Sequence, residues 1–258
     1  MRLLLATLLV LPCAARITSL ASASAPVVTR AILFDADGTL LASLPAHVTF
    51  CRTLANEIGL NLDLPSPADL IASRKIAAAP MDNFFRKAGF PEATIEDCVE
   101  AYEKRFASEC PVLPYEGINS MLQTISSWPE VSCGIVSSNT AANVRHALGA
   151  ELCEYFAFID GIDNAPSDKS DAIVAALERL ADPNGPLEAV YVGDTEKDWL
   201  KSSAVGVPFI GVDYGFEPLG DTVQIDENAL GGAPVAGTVA DLQELLSKWR
   251  AEGVPANM

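Results

Sequence analysis

Short apolar runs rich in β-branched residues recur along the chain. They cover residues 27–35, 131–138, 156–162, 188–194 and 207–213. A continuous apolar run of this length is typical of a strand that is buried on both faces of a sheet. The pattern therefore predicts five strands of a parallel sheet.

Helical periodicity fills the intervals between the later runs, over residues 140–149, 169–181 and 196–205. Strands that alternate with helices predict a doubly wound α/β domain, in which helices cover both faces of the sheet. Functional groups in such domains gather beyond the carboxyl ends of the strands. A last amphipathic helix is predicted within residues 238–249, in a tail rich in Gly and Pro.

Residues 44–111 break this alternation, because their pattern is helical throughout. The predicted helices cover residues 45–59, 67–79, 81–89 and 92–109. We therefore predict a helical insertion (residues 44–111) that follows the first strand. The α/β core would then consist of residues 27–43 and 112–258.

Composition and charge narrow the possible partners. Half of the 258 residues are hydrophobic and the net charge is −17, as expected for a globular soluble protein. Such an acidic chain argues against nucleic-acid binding and against binding to anionic membranes. No stretch after the N-terminal segment is long and apolar enough to suggest a membrane span.

The N-terminal segment differs from the rest of the chain. Residues 1–34 contain no acid, and an apolar stretch is followed by the small residues SLASASA. This order predicts that residues 1–26 are a cleaved targeting segment, of a secretory or an organellar type. The alternative is a loose N-terminal tail on a cytoplasmic protein. The six cysteines have no metal-binding spacing and are predicted to be buried thiols.

Polar residues follow several of the predicted strands directly. Asp35 and Asp37 stand one residue apart in DADGTL, the sequence Ser137-Ser138-Asn139 ends the second run, and the fourth run ends in VGDTEKD. Two neighbouring carboxylates repel each other unless a cation or shared chemistry compensates them. A surface turn is the simpler explanation of the Asp-Gly sequence. The recurrence of polar motifs at strand ends favours a catalytic site.

Taken in order, these motifs and Lys169 resemble the haloacid dehalogenase superfamily. The similarity is to the branch of phosphoglycolate phosphatase and β-phosphoglucomutase, and it extends from about residue 30 to 215. It implies that the helical insertion is a mobile cap. Two positions depart from the branch, Ala42, where an acid is common, and Ser170, where proline is usual.

The resemblance implies a role for each motif residue. Asp35 would be the nucleophile that forms an aspartyl-phosphate, and Asp37 would be the general acid and base. Asp35, the Asp37 backbone carbonyl and Asp194 would bind Mg²⁺, which prefers oxygen ligands. The remaining expectations place Ser137 or Ser138, Asn139 and Lys169 on the phosphate, Gly38 and Thr39 in the turn, and Asp198 as support for Lys169 or a water molecule.

The same resemblance implies that three residues of the helical insertion, His47, Arg74 and Lys75, are candidates for substrate specificity. A sugar phosphate, a carboxylate or a second phosphate would suit them. The alternative for each is a solvated helix surface.

The resulting hypothesis is a Mg²⁺-dependent phosphatase of a small phosphorylated metabolite, such as phosphoglycolate or a sugar phosphate. A sugar phosphomutase of the same branch is the alternative, and a non-catalytic binding module on this fold is a third. Neither the substrate nor the oligomeric state follows from the sequence.

Overall fold

The computed structural model describes residues 28–78, 80–166, 168–181, 186–217, 219 and 230–253. The predicted targeting segment, residues 1–26, lies outside the described residues. The strands are β1 (Thr29–Phe34), β2 (Val131–Val136), β3 (Phe158–Asp160), β4 (Leu187–Gly193), β5 (Phe209–Val212) and β6 (Val235–Ala236). The helices are α1 (Ser43–Glu57), α2 (Leu70–Ile76), α3 (Met81–Lys87), α4 (Ile95–Glu109), α5 (Ile118–Ser126), α6 (Ala141–Cys153), α7 (Lys169–Leu180), α8 (Glu196–Ser203) and α9 (Val239–Glu252).

The six strands of the described residues form one parallel sheet in the order β3-β2-β1-β4-β5-β6. β1 lies between β2 and β4, so the chain order reverses at the carboxyl end of β1. This is the switch point at which α/β sheets bind their ligands. The predicted doubly wound parallel sheet is confirmed.

Helices cover both faces of the sheet because side chains of a strand alternate between its faces. On one face, Ile32 and Phe34 pack in a buried cluster with residues of α5, α6 and α9. On the other face, Leu33 packs with residues of α7, including Ile173. β1 is therefore buried on both sides, as its continuous apolar sequence predicts.

The helices α1 to α4 surround a hydrophobic cluster of their own. Phe50, Phe84, Phe85 and Phe106 are buried in it, and Phe216 from the loop after β5 packs against it. The predicted helix over residues 67–79 is shorter in the structure. Asp69 accepts a hydrogen bond from the Ala72 amide and caps the N-terminus of α2, so the helix begins only at Leu70.

Two elements of the fold are not predicted from the sequence. α5 is amphipathic, with Ile118, Met121, Leu122 and Ile125 buried, and its helical spacing is a signal that could have identified it. β6 has two residues and is too short for any periodicity.

Among the described residues, no helix combines the length and hydropathy needed to cross a membrane. The described cysteines form no disulfide.

Candidate active site

Three acids meet at the carboxyl edge of the sheet. Asp35 follows β1, Asp194 follows β4 and Asp198 lies in the first turn of α8. Each offers a carboxylate oxygen, and these oxygens lie within 4.8 Å of one another. All three side chains are buried. Asp198, predicted as a supporting residue, is therefore a full member of this acidic cluster.

Lys169 supplies a positive charge to the acidic cluster. It is the first residue of α7, and its Nζ lies 2.8 Å from Asp35 Oδ1 and 2.5 Å from Asp198 Oδ1. Burial alone would lower the pKa of Lys169, but the facing carboxylates raise it well above its ordinary value. The unusual Ser170 is accommodated because its hydroxyl donates to the Lys201 carbonyl oxygen.

Gly38 makes the close approach to Asp194 possible. Its φ of +84° is in the left-handed region, and a Cβ at this position would lie 2.0 Å from Asp194 Oδ2. Asp194 Oδ2 accepts a hydrogen bond of 2.6 Å from the Phe216 amide. Thr39 Oγ1 donates to Asp194 Oδ1 at 3.5 Å. The DADGTL turn therefore packs directly on the strand end that carries Asp194.

The acidic cluster has an unfavourable charge balance without a further cation. Burial raises the pKa of Asp35 to about 7, although Lys169 opposes this shift. Burial and the two neighbouring carboxylates raise the pKa of Asp194 well above its ordinary value. The three carboxylates are buried, and the Lys169 ammonium compensates only part of their charge. Their oxygens would suit a divalent cation that prefers oxygen ligands, such as Mg²⁺.

The turn after β2 brings Ser137 and Asn139 to the same edge. Ser137 is buried and Ser138 is exposed, which favours Ser137 as the serine that faces the site. Ser137 Oγ accepts a hydrogen bond from the Asn139 amide at 3.1 Å. The Asn139 side chain donates from Nδ2 to Asp37 Oδ2 at 3.0 Å. Asn139 therefore contacts the second aspartate of DADGTL.

His47 is not on a helix surface, so that alternative is wrong. It is buried, its Nε2 lies 3.1 Å from the Tyr102 hydroxyl, and its ring packs on Phe106 and Phe216. Burial lowers the pKa of His47, and the nearby Asp37 carboxylate opposes the shift. These contacts join the start of α1 to α4 and to the loop after β5.

Arg74 and Lys75 have different surroundings, although they are adjacent in α2. Arg74 donates from Nη2 to the Asp213 carbonyl oxygen at 2.5 Å and from Nε to the Gly215 carbonyl oxygen at 3.0 Å. Lys75 is exposed to solvent. The structure thus places the Arg74 guanidinium on the loop after β5, and it does not bring Lys75 to the acidic cluster.

A small pocket opens beside Asp37, between α4 and α6. Its lining includes Asp37, Leu41, Phe106, Cys110, Asn143 and His146. Asn143 is not predicted as a site residue. Asn139 precedes Thr140, the N-cap residue of α6, so helical spacing does not relate Asn139 to Asn143 and the sequence offered no signal for this residue.

Comparisons with known proteins agree with this architecture. The sequence profile for haloacid dehalogenase-like hydrolases matches residues 32–212. A phosphoglycolate phosphatase of Xanthomonas campestris pv. campestris is 28% identical over 202 residues, which are 74% of this chain and 86% of that protein. The tyrosine-protein kinase PtkA of Mycobacterium tuberculosis is 27% identical over 222 residues, which are 83% of this chain and 72% of that protein.

Solved structures give the same result for the fold. A haloacid dehalogenase-like hydrolase of Streptococcus pneumoniae matches with a TM-score of 0.66 at 24% identity, covering 86% of this chain and 98% of that one. The predictions of the family, of its α/β core and of a phosphatase enzyme are confirmed. Since the family profile extends from β1 to the end of β5, this chain belongs to the haloacid dehalogenase-like hydrolase family.

Proposed function

We propose that the protein is a Mg²⁺-dependent phosphatase that hydrolyses a small phosphomonoester through an aspartyl-phosphate. The observation that carries the proposal is the position of Asp35. It is a buried carboxylate at the sheet's switch point, paired with Lys169 and adjacent to two further acids. The relatives named as phosphoglycolate phosphatases support a small phosphorylated metabolite as the substrate.

In the first half-reaction, a carboxylate oxygen of Asp35 attacks the phosphorus atom. The bond from phosphorus to the bridging oxygen breaks, and Asp37 gives its proton to the departing alcohol. In the second half-reaction, Asp37 takes a proton from the attacking water. The acyl-phosphate is hydrolysed, inorganic phosphate leaves, and the Asp35 carboxylate is restored.

Lys169 and Ser137 are suited to hold the oxygens of the transferring phosphoryl group. The Lys169 ammonium is fixed beside Asp35, and the Ser137 hydroxyl accepts from the Asn139 amide while its own proton remains a donor. Fixed donors of this kind stabilise the charge that develops in the transition state.

Asp35, Asp194 and the Asp37 carbonyl are the residues proposed to hold Mg²⁺, with Asp198 adjacent. When bound, the ion would neutralise the charge of the phosphoryl group and of the acidic cluster. The buried oxygen donors and the raised pKa of Asp194 support this assignment.

A phosphatase is preferred over a phosphomutase because of Arg74. A mutase holds a bisphosphate and needs a cation for the second phosphate. The Arg74 guanidinium instead binds two backbone carbonyl oxygens, and the Lys75 side chain is exposed.

The test is the release of inorganic phosphate from a panel of phosphomonoesters, with Mg²⁺ or with EDTA. We expect the wild type to be active only with Mg²⁺ and Asp35→Asn to be inactive. Asp63→Asn, an exposed aspartate of the helical insertion, is the matched control and should keep full activity. A fully active Asp35→Asn protein would contradict the proposal.

A further inference from the structure

The orientation of the Asn139 side-chain amide follows from its hydrogen bonds. Its Oδ1 accepts from the Thr140 backbone amide at 2.8 Å and from Asn143 Nδ2 at 3.1 Å. A backbone N–H can only donate, so the atom that faces it must be the oxygen. The Nδ2 of Asn139 therefore faces Asp37, and donates to Asp37 Oδ2.

The backbone around Asn139 is also held in place. The Asn139 amide donates to Ser137 Oγ, and its carbonyl oxygen accepts from the Ile162 amide at 3.0 Å. Gly161 lets the end of β3 pack against this turn, because a Cβ there would lie 2.3 Å from the Ala141 nitrogen. Backbone and side chain of Asn139 are thus both fixed before any substrate binds.

We propose that Asn139 is a positioning residue that orients the Asp37 carboxyl group for proton transfer, with Asn143 holding Asn139. This inference rests on the proposed phosphatase function. The Asn139 donor occupies Oδ2 of Asp37, which leaves Oδ1 to carry the proton. That proton goes to the bridging oxygen as its bond to phosphorus breaks, and the alcohol departs with the electron pair of that bond.

The alternative role for Asn139 is direct binding of the phosphoryl group, and the two roles differ in one measurable respect. The phosphoryl group is the same in every phosphomonoester, so a phosphate contact affects all esters equally. Proton donation matters for an alkyl leaving group, which is a strong base as the anion. It matters little for 4-nitrophenolate, which is stable as the anion.

The experiment measures kcat/KM with excess Mg²⁺ for a series of esters from 4-nitrophenyl phosphate to simple alkyl phosphates. For Asn139→Ala we expect a loss of about 30-fold on the alkyl esters and of about 3-fold on 4-nitrophenyl phosphate. The larger loss is below the roughly 100- to 10,000-fold that general acid catalysis contributes, because Asp37 itself is retained. Asn143→Ala should show the same dependence with smaller losses. Asn56→Ala, an exposed asparagine of α1, is the matched control and should match the wild type.

A second substitution at this position tests whether the effect of Asn139→Ala is due merely to misfolding. Asn139→Asp keeps the shape of the side chain and an oxygen for the Thr140 amide, but it replaces the donor that faces Asp37. We expect a folded protein, by its thermal melt, with a loss that again grows as the leaving group becomes more basic.

The outcomes separate this inference from the proposed function. An equal loss on every ester in Asn139→Ala or Asn139→Asp, with an active wild type, would overturn the positioning role alone. A wild type that hydrolyses none of the esters with Mg²⁺ would overturn the phosphatase function and this inference together.

Discussion

Replacement of Asp194 by asparagine tests whether the acidic cluster destabilises the protein when no cation is bound. Asp194 is buried, and the nearest carboxylate oxygens of Asp35 and Asp198 lie within 4.8 Å. Asparagine has the same shape, and its Oδ1 can still accept the hydrogen bond that the Phe216 amide donates. The substitution therefore removes one charge and retains the packing.

The expected gain in stability follows from the charges. Two unit charges 4.8 Å apart repel by about 3.5 kcal/mol at an effective dielectric constant of about 20. Lys169 offsets part of this repulsion, so we expect Asp194→Asn to be more stable than the wild type by about 1–3 kcal/mol in EDTA. Relief of a strained functional site commonly increases stability at the expense of activity.

The pH dependence has a definite sign. Burial and the neighbouring carboxylates raise the pKa of Asp194 in the folded state above its value in the unfolded chain. The stability contributed by this group is therefore fully present below about pH 4 and decreases as the pH rises toward the folded-state pKa. The advantage of Asp194→Asn should accordingly be small in acid and should grow toward neutral pH.

The assay is urea denaturation with EDTA or with excess MgCl₂. At a concentration 100 times its Kd, Mg²⁺ should stabilise the wild type by about 2.7 kcal/mol. Asp194→Asn should gain much less and should not hydrolyse phosphomonoesters. Asp63→Asn is the control for a change of net charge. If Asp194→Asn is less stable than the wild type in EDTA and gains as much from Mg²⁺, the reasoning is refuted.

Three further substitutions test the surroundings of the acidic cluster. Lys169→Met removes the ammonium that two buried carboxylates contact, and should cost about 3–5 kcal/mol by urea denaturation in EDTA; an unchanged midpoint would contradict this. Gly38→Ala places a methyl group against Asp194, so kcat/KM should fall about 100-fold or more, and a near-normal rate would disprove the close packing. Arg74→Gln should lower the free energy of unfolding by about 1–3 kcal/mol, whereas exposed Lys75→Gln should not; equal effects would argue against the guanidinium bonds.

Local sequence patterns were sufficient to predict where the candidate site residues at the strand ends lie. Asp35, Asp194 and Lys169 each follow or precede a clearly periodic element, and the parallel order of the strands predicts that they meet at one edge. The structure brings these three side chains together.

Contacts between distant segments could not be predicted in this way. Asn139 and Asp37 are separated by 102 positions, and Arg74 and Asp213 by 139. Periodicity describes only which face of one element is apolar, and it carries no information on the partner of a polar side chain. The burial of His47 does not follow from the sequence for the same reason, because its aromatic neighbours come from α3, α4 and the loop after β5.

The hydrogen bonds of Arg74 bear on how such enzymes can be recombined. Arg74 belongs to the helical insertion, but it binds the loop at residues 213–215, and the next residue of that loop, Phe216, binds Asp194. A chimera that exchanges residues 44–111 alone would separate Arg74 from the loop at residues 213–215, whose carbonyl oxygens accept its hydrogen bonds. The smallest interchangeable unit is therefore discontinuous, and it includes residues 213–217 along with the helices.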